Sequence, residues 1–98
     1  MKAVVLSAQA EADLIDIAIY IGFDSPLRAG TFVAEIEAKA MTLSDAPLKG
    51  SARDSLNPGI RMLVHGAYGI YYRVTNETIR ILRVLHSARD IGPDDFTA

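Results

Sequence analysis

Ile79-Arg80-Ile81-Leu82-Arg83-Val84-Leu85-His86, followed at once by Ser87-Ala88-Arg89-Asp90, is the run on which the fold turns. An apolar side chain at nearly every position marks a strand inside a sheet with both faces at least partly covered. Two arginines and a terminal histidine interrupt it, and charge in such a place needs a partner or a purpose. Working back from this run, Tyr68 to Val74 and Ile60 to His65 carry two more strand patterns. Gly66-Ala67 and Thr75-Asn76-Glu77-Thr78 are the turn formers between them, so the three strands form an antiparallel meander.

Upstream the period changes. Lys2 to Leu6 reads as a short strand and Ser7 as the N-cap of a helix in which Ala10, Leu14, Ile17, Ala18 and Ile21 share a face, ending near Gly22. Asp24-Ser25-Pro26 supplies a cap and a first-turn proline, and Ala29, Phe32, Val33, Ile36, Ala40 and Leu43 make a second apolar stripe. Two helices so closely joined pack as an antiparallel hairpin. Residues 45–59, rich in Asp, Pro, Gly, Ser and Asn, form a long loop. The order is therefore β-α-α-β-β-β, an α+β fold with the helical hairpin packed on one face of a mainly antiparallel four-stranded sheet, and residues 1–98 make one domain.

Composition narrows the chemistry. Half of the 98 residues are apolar, which excludes disorder, and the absence of cysteine removes disulfides, thiolate metal sites and cysteine nucleophiles together. No run is long and apolar enough for a membrane span or a signal peptide, so the expectation is a soluble, cytoplasmic chain without a membrane partner. The net charge of −2 hides a division: residues 1–45 carry −4, whereas residues 60–89 carry +4. The acidic pairs Asp13 with Asp16 and Asp94 with Asp95 lack supporting ligands at metal-site spacing, and no phosphate loop or nucleophile elbow is present. No metal or cofactor is expected.

Alternation sorts the strand residues by face. Arg61, Leu63 and His65 oppose Ile60, Met62 and Val64, while Tyr68, Ile70, Tyr72 and Val74 look inward and Tyr71 and Arg73 outward. The last strand permits either phase. If Leu82 and Val84 face the helices, Arg83 joins Arg61, Tyr71 and Arg73 on the open face, a patch of three guanidiniums and a phenol. Such a patch suits phosphate, stacked bases or the carboxylates of an acidic peptide. Salt bridging with Glu77 is the alternative use of these arginines. His86 has the chemistry of a general acid or base, but the sequence places no partner beside it.

Leu6-Ser7, Ala10 to Ile17, Tyr20-Ile21, Pro26, Ala29 and Phe32 are followed in order by Leu43, Pro47, Gly50 and Ile60-Arg61. Tyr68 to Val74, Ile81 to His86 and Arg89-Asp90 complete the series. In these residues the chain resembles the ParE branch of the ParE/RelE toxin superfamily. The resemblance implies the toxin of a type II toxin-antitoxin module, neutralised by a cognate ParD-like antitoxin in a hetero-oligomer. ParE-like toxins act on DNA gyrase; the RelE-like alternative is a ribosome-dependent mRNA endoribonuclease, and a third is a non-toxic member that only binds antitoxin. On the nuclease reading Arg83 and His86 are the catalytic candidates. No tyrosine follows Arg89 and Lys49 is the only lysine after the second helix, which favours gyrase binding without catalysis. Arg61, Leu63, Tyr71, Arg73, Arg83 and Arg89 are then the expected antitoxin or target contacts.

Overall fold

In a computed structural model that describes residues 2–96, strand β1 (Ala3–Leu6) leads into helices α1 (Ala8–Gly22) and α2 (Pro26–Met41). A single 3-10 turn, Thr42–Ser44, closes α2 before β2 (Ser51–Ala52), β3 (Ile60–His65), β4 (Tyr68–Val74) and β5 (Thr78–His86). A second such turn spans Pro93–Phe96. The sheet order is β1-β5-β4-β3-β2, with β1 parallel to β5 and every other pairing antiparallel.

The local signals act as their chemistry requires. Ser7 Oγ accepts from the Ala10 N–H at 3.0 Å, Ser25 Oγ from the Arg28 N–H at 3.2 Å, and Pro26 opens α2 where no intrahelical donor is needed. Gly66 lies at φ 57° in the two-residue connection of β3 and β4, the positive φ that a type II′ hairpin asks of its first central residue. The helical stripes meet one face of the sheet: Leu14, Ile17, Ile36 and Ala40 pack with Leu63, Ile70, Tyr72, Ile79, Ile81 and Val84. Each isoleucine so enclosed contributes about 1.5–3 kcal/mol.

Two details depart from the sequence reading. The sheet has five strands where four were expected, because Ser51–Ala52 pairs with Arg61 and Met62 inside the loop. Two residues are too few to show a period. The second departure is a bulge in β5: Tyr72 pairs with Ile81 but Tyr71 pairs with Arg83, leaving Leu82 unmatched. The extra residue shifts the alternation by one. Ile79, Ile81 and Val84 consequently all reach the helix side, while Leu82 and Leu85 join Ile60, Tyr71, Leu56, Met62, Ile91 and Phe96 in a smaller cluster on the opposite face. Both phases of the strand are realised, one before the bulge and one after it.

Candidate interaction surfaces

The patch anticipated from Arg61, Tyr71, Arg73 and Arg83 does not assemble, and each departure has a physical cause. Arg61 lies across from Tyr72, on the helix side, where its guanidinium donates to the carbonyls of Gly50 at 2.9 Å and Leu48 at 3.0 Å and so ties down the loop. Leu63 is buried in the core beneath the helices. Tyr71 faces the other way but is buried, its ring 5.2 Å from that of Phe96, and desolvation raises its phenol pKa. Arg89 is held by the Asp95 carboxylate.

Arg83 is the most heavily engaged. Its Nε and Nη2 donate to the two oxygens of Asp13 on α1 at 2.8 and 2.9 Å, and Nη1 donates to the Asp95 carbonyl at 3.0 Å. The reason is topological. β1 stops at Leu6, opposite Ile81, so the edge of β5 beyond that point has no strand partner. Asp13 fills the place: its Oδ2 also accepts the Val84 N–H at 3.0 Å, and Ser7 Oγ donates to the Leu82 carbonyl at 2.8 Å. The hydrogen-bonded carboxylate raises the Arg83 pKa still further, which keeps the cation permanently charged.

His86 stands at the far end of β5 on the helix side, its Nδ1 accepting from the Ala88 N–H at 3.0 Å and its ring edge-on to Tyr68 at 5.1 Å. It lies apart from Arg83, so the two catalytic candidates do not converge on one site.

Of the proposed contacts only Arg73 keeps an unneutralised guanidinium on the open face, oriented by Asn57 Oδ1 at 3.1 Å and the Pro58 carbonyl. Its cross-strand partner is Arg80. Like charges directly opposite one another destabilise a sheet, and an external anion or acidic surface laid on the pair would relieve the repulsion. The row continues: Arg73 pairs with Ile60 on its other side, and the Ile60 carbonyl accepts the Arg53 N–H at 2.8 Å. Among the described residues Arg53, Arg73 and Arg80 have no carboxylate partner. Sequence reasoning missed Arg53, which adjoins a strand too short to read, and Arg80, whose face was concealed by the bulge.

A second surface is apolar. β1 pairs only with β5, so its outer edge is open, and beside it lies a groove of about 600 Å³ walled by Val4, Val5, Leu6, Leu14, Ile15, Ala18 and Val33 with Glu11 and Glu37 in the lining. Unpaired strand edges accept an added strand, and an apolar groove between helices accepts an amphipathic one. Neither surface holds three convergent histidine or acidic ligands, nor does any place among the described residues. No helix of the described residues is long and apolar enough to cross a membrane.

The helical hairpin laid on a mixed five-stranded sheet matches the fold of ParE/RelE structural neighbours. The chain belongs to the ParE toxin family: residues 4–91 match the model described as ParE toxin of type II toxin-antitoxin system, parDE. It is 35% identical over 65 residues to Toxin ParE1 of Mycobacterium tuberculosis, an alignment covering 65% of this chain and 66% of that protein. To Toxin RelE2 of Caulobacter vibrioides it is 34% identical over 90 residues, covering 91% of this chain and 99% of that one. Among solved structures, a chain of the chromosomal ParDE toxin-antitoxin system of P. aeruginosa superposes with a TM-score of 0.74 at 28% identity, covering 88% of this chain and 96% of that chain. A chain of the RelBE2 toxin-antitoxin complex of Mycobacterium tuberculosis gives 0.60 at 27% identity, covering 87% and 96%.

Proposed function

We propose that this chain is the toxin of a type II toxin-antitoxin module, that a ParD-like antitoxin neutralises it in a hetero-oligomer, and that it acts in the cytoplasm by binding DNA gyrase and not by cutting RNA. The observation that carries the second half is the separation of charge from acid-base chemistry. Phosphodiester cleavage needs a cation on the developing phosphorane and a proton-transfer group within hydrogen-bond reach. Here the free guanidiniums of Arg53, Arg73 and Arg80 lie beside a capped phenol, while His86 is on the other face and Arg83 is consumed by Asp13. A binding surface needs no such convergence. Production of the chain without antitoxin is expected to cause gyrase-dependent DNA breaks and an SOS response; cells that stop translating with intact DNA would return the RelE-like nuclease reading, and unharmed cells the non-toxic one.

The antitoxin is assigned to the apolar groove, its segment adding to the free edge of β1 with an apolar stripe on Leu14, Ile15 and Val33. Ile15 is 61% exposed, so Ile15→Asp leaves the fold intact and is expected to weaken antitoxin binding at least tenfold by placing a charge in the contact. Unchanged affinity in calorimetry removes the groove from the interface. The basic row is assigned to the target. Arg73→Glu with Arg80→Glu should abolish growth arrest; exposed Arg80 adds little to stability, whereas half-buried Arg73 gives up its hydrogen bonds to Asn57 and Pro58 at about 1 kcal/mol, and urea denaturation checks that the variant is folded. If the double variant stays toxic, the target contacts another face.

A further inference from the structure

The end of the helical hairpin carries a third surface, outside both the groove and the arginine row. At the register His65, Tyr68, His86 the sheet presents a row of rings, with Tyr68 directly paired to His86 and set at 85° to it. Tyr20, from the last turns of α1, closes a pocket of about 300 Å³ over Tyr68 and His86. Burial raises the Tyr68 phenol pKa and proximity of Tyr20 raises it further, so the Tyr68 phenol stays neutral. The Ala88 N–H on Nδ1 fixes the His86 ring in place. Three rings around one space offer π faces, which attract a cation.

The electrostatics around the pocket agree. α1 contains Glu11, Asp13 and Asp16 and no base. Asp16 is one turn before Tyr20 on the same helical face, and Asp24 marks the bend between the helices. The bases near the pocket are already paired: Arg28 is bound by Glu35, whose carboxylate pKa it lowers and which also holds His65 at 3.1 Å, and Arg89, whose N–H donates to the His86 carbonyl, is bound by Asp95, which leaves Asp16 and Asp24 without a basic partner among the described residues. Just after Tyr20, where α1 gives way to α2, Phe23 is 85% and Leu27 83% exposed. Large side chains left so open next to an acidic rim describe a contact with a protein that is apolar and basic.

We propose that the hairpin end is a docking site for a basic, apolar-flanked segment of a partner protein, whose arginine or lysine enters the cage of Tyr20, Tyr68 and His86 while its apolar neighbours cover Phe23 and Leu27. Charge complementarity selects this occupant over an acidic peptide or a nucleic acid, both of which the rim carboxylates repel. The site is independent of the gyrase assignment and stands or falls separately from it.

The test titrates the full chain with acetyl-leucyl-arginyl-leucine amide and follows the ring signals by NMR. Saturable shifts of Tyr20, Tyr68, His86 and Phe23 are expected, and Tyr20→Ala and Asp16→Asn should each weaken binding about three- to fivefold. The same peptide with citrulline in place of arginine should bind correspondingly more weakly. Equal binding of the citrulline peptide, shifts confined to other residues, or no saturable shift overturns the proposal. So does a concentration-dependent dimer whose signals change at these same residues on dilution, which would assign the face to a second copy. Tyr20 is 72% exposed, so loss of binding in its alanine variant is not a folding effect.

Discussion

Replacing Asp13 by alanine is expected to destabilise the protein by about 3 kcal/mol, the scale set by breaking a largely buried ion pair from one side. Asp13 and Arg83 are 11% and 14% exposed, and the change deletes three hydrogen bonds at once, two from the guanidinium and one from the Val84 N–H. It leaves the Arg83 cation with only the carboxylate of Asp95 at 3.9 Å and that residue's carbonyl. For a domain of this size the loss corresponds to a fall in Tm of roughly 12–20 °C. Arg83→Ala strands the carboxylate instead and should cost a similar amount. The double variant, with neither charge left behind, is expected to cost clearly less than the sum of the two, which a double-mutant cycle by urea denaturation measures directly. Single variants within about 0.5 kcal/mol of the parent would show that the edge of β5 does not depend on α1. The consequence for function is practical: a loss of toxicity in Arg83→Ala reports folding, so the target surface is to be tested through Arg73 and Arg80.

The second large effect lies in the loop before β3. A Cβ on Gly50 would stand 2.6 Å from Tyr72 Oη, 2.7 Å from Tyr72 Cε1 and 2.9 Å from the Met62 carbonyl oxygen, distances that no real side chain keeps. Tyr72 has nowhere to go: its ring is fully buried, and its hydroxyl accepts the Gly50 N–H at 2.9 Å while donating to the Pro47 carbonyl at 2.8 Å. Gly50→Ala must therefore displace the loop, and a destabilisation of about 3 kcal/mol is expected from overpacking together with the broken hydrogen bonds. Tyr72→Phe keeps the ring and loses only the hydroxyl, at about 1–3 kcal/mol for the groups left unpaired. If Gly50→Ala unfolds at the parent's urea midpoint, the loop is not packed on Tyr72 in solution. Because β2 and Arg53 follow directly, a displaced loop also moves one end of the basic row.

How far the sequence carried this picture differs between elements. The two helices, their serine caps and Pro26 were legible because a period of 3.6 and a capping hydroxyl are local properties, written within a few residues. So were the strands of the meander and the inward set Tyr68, Ile70, Tyr72 and Val74, since the extra residue of the bulge lies on β5 and leaves the alternation of β4 intact. The candidate patch was not. Its members were assigned by counting alternate residues, and a single unmatched residue at Leu82 reverses the count midway along β5. Arg80 and Arg83 are separated by an odd number of steps yet both belong to the open face, and no propensity at Leu82 marks the irregularity. Arg61 failed for another reason: it was assigned to the wrong face of the sheet, and its partners are carbonyls in a loop 11 and 13 residues upstream, a pairing that only the folded loop creates.

By itself, then, the sequence determined the order of the two helices and the four longer strands, the hairpin of helices, the antiparallel meander and the resemblance to the ParE family, all of which depend on patterns repeated over many residues. Tertiary structure alone decided which charges are spent and which are available. Asp13 is 70 residues from Arg83, and the two meet because β1 is too short to cover the edge of β5. Arg53, Arg73 and Arg80 form a row because β4, β5 and the segment after β2, which bonds to β3, bring them level. Both outcomes depend on register and on the distance between chain segments, and neither is encoded in any local stretch, which is why the basic row became visible only in the folded chain.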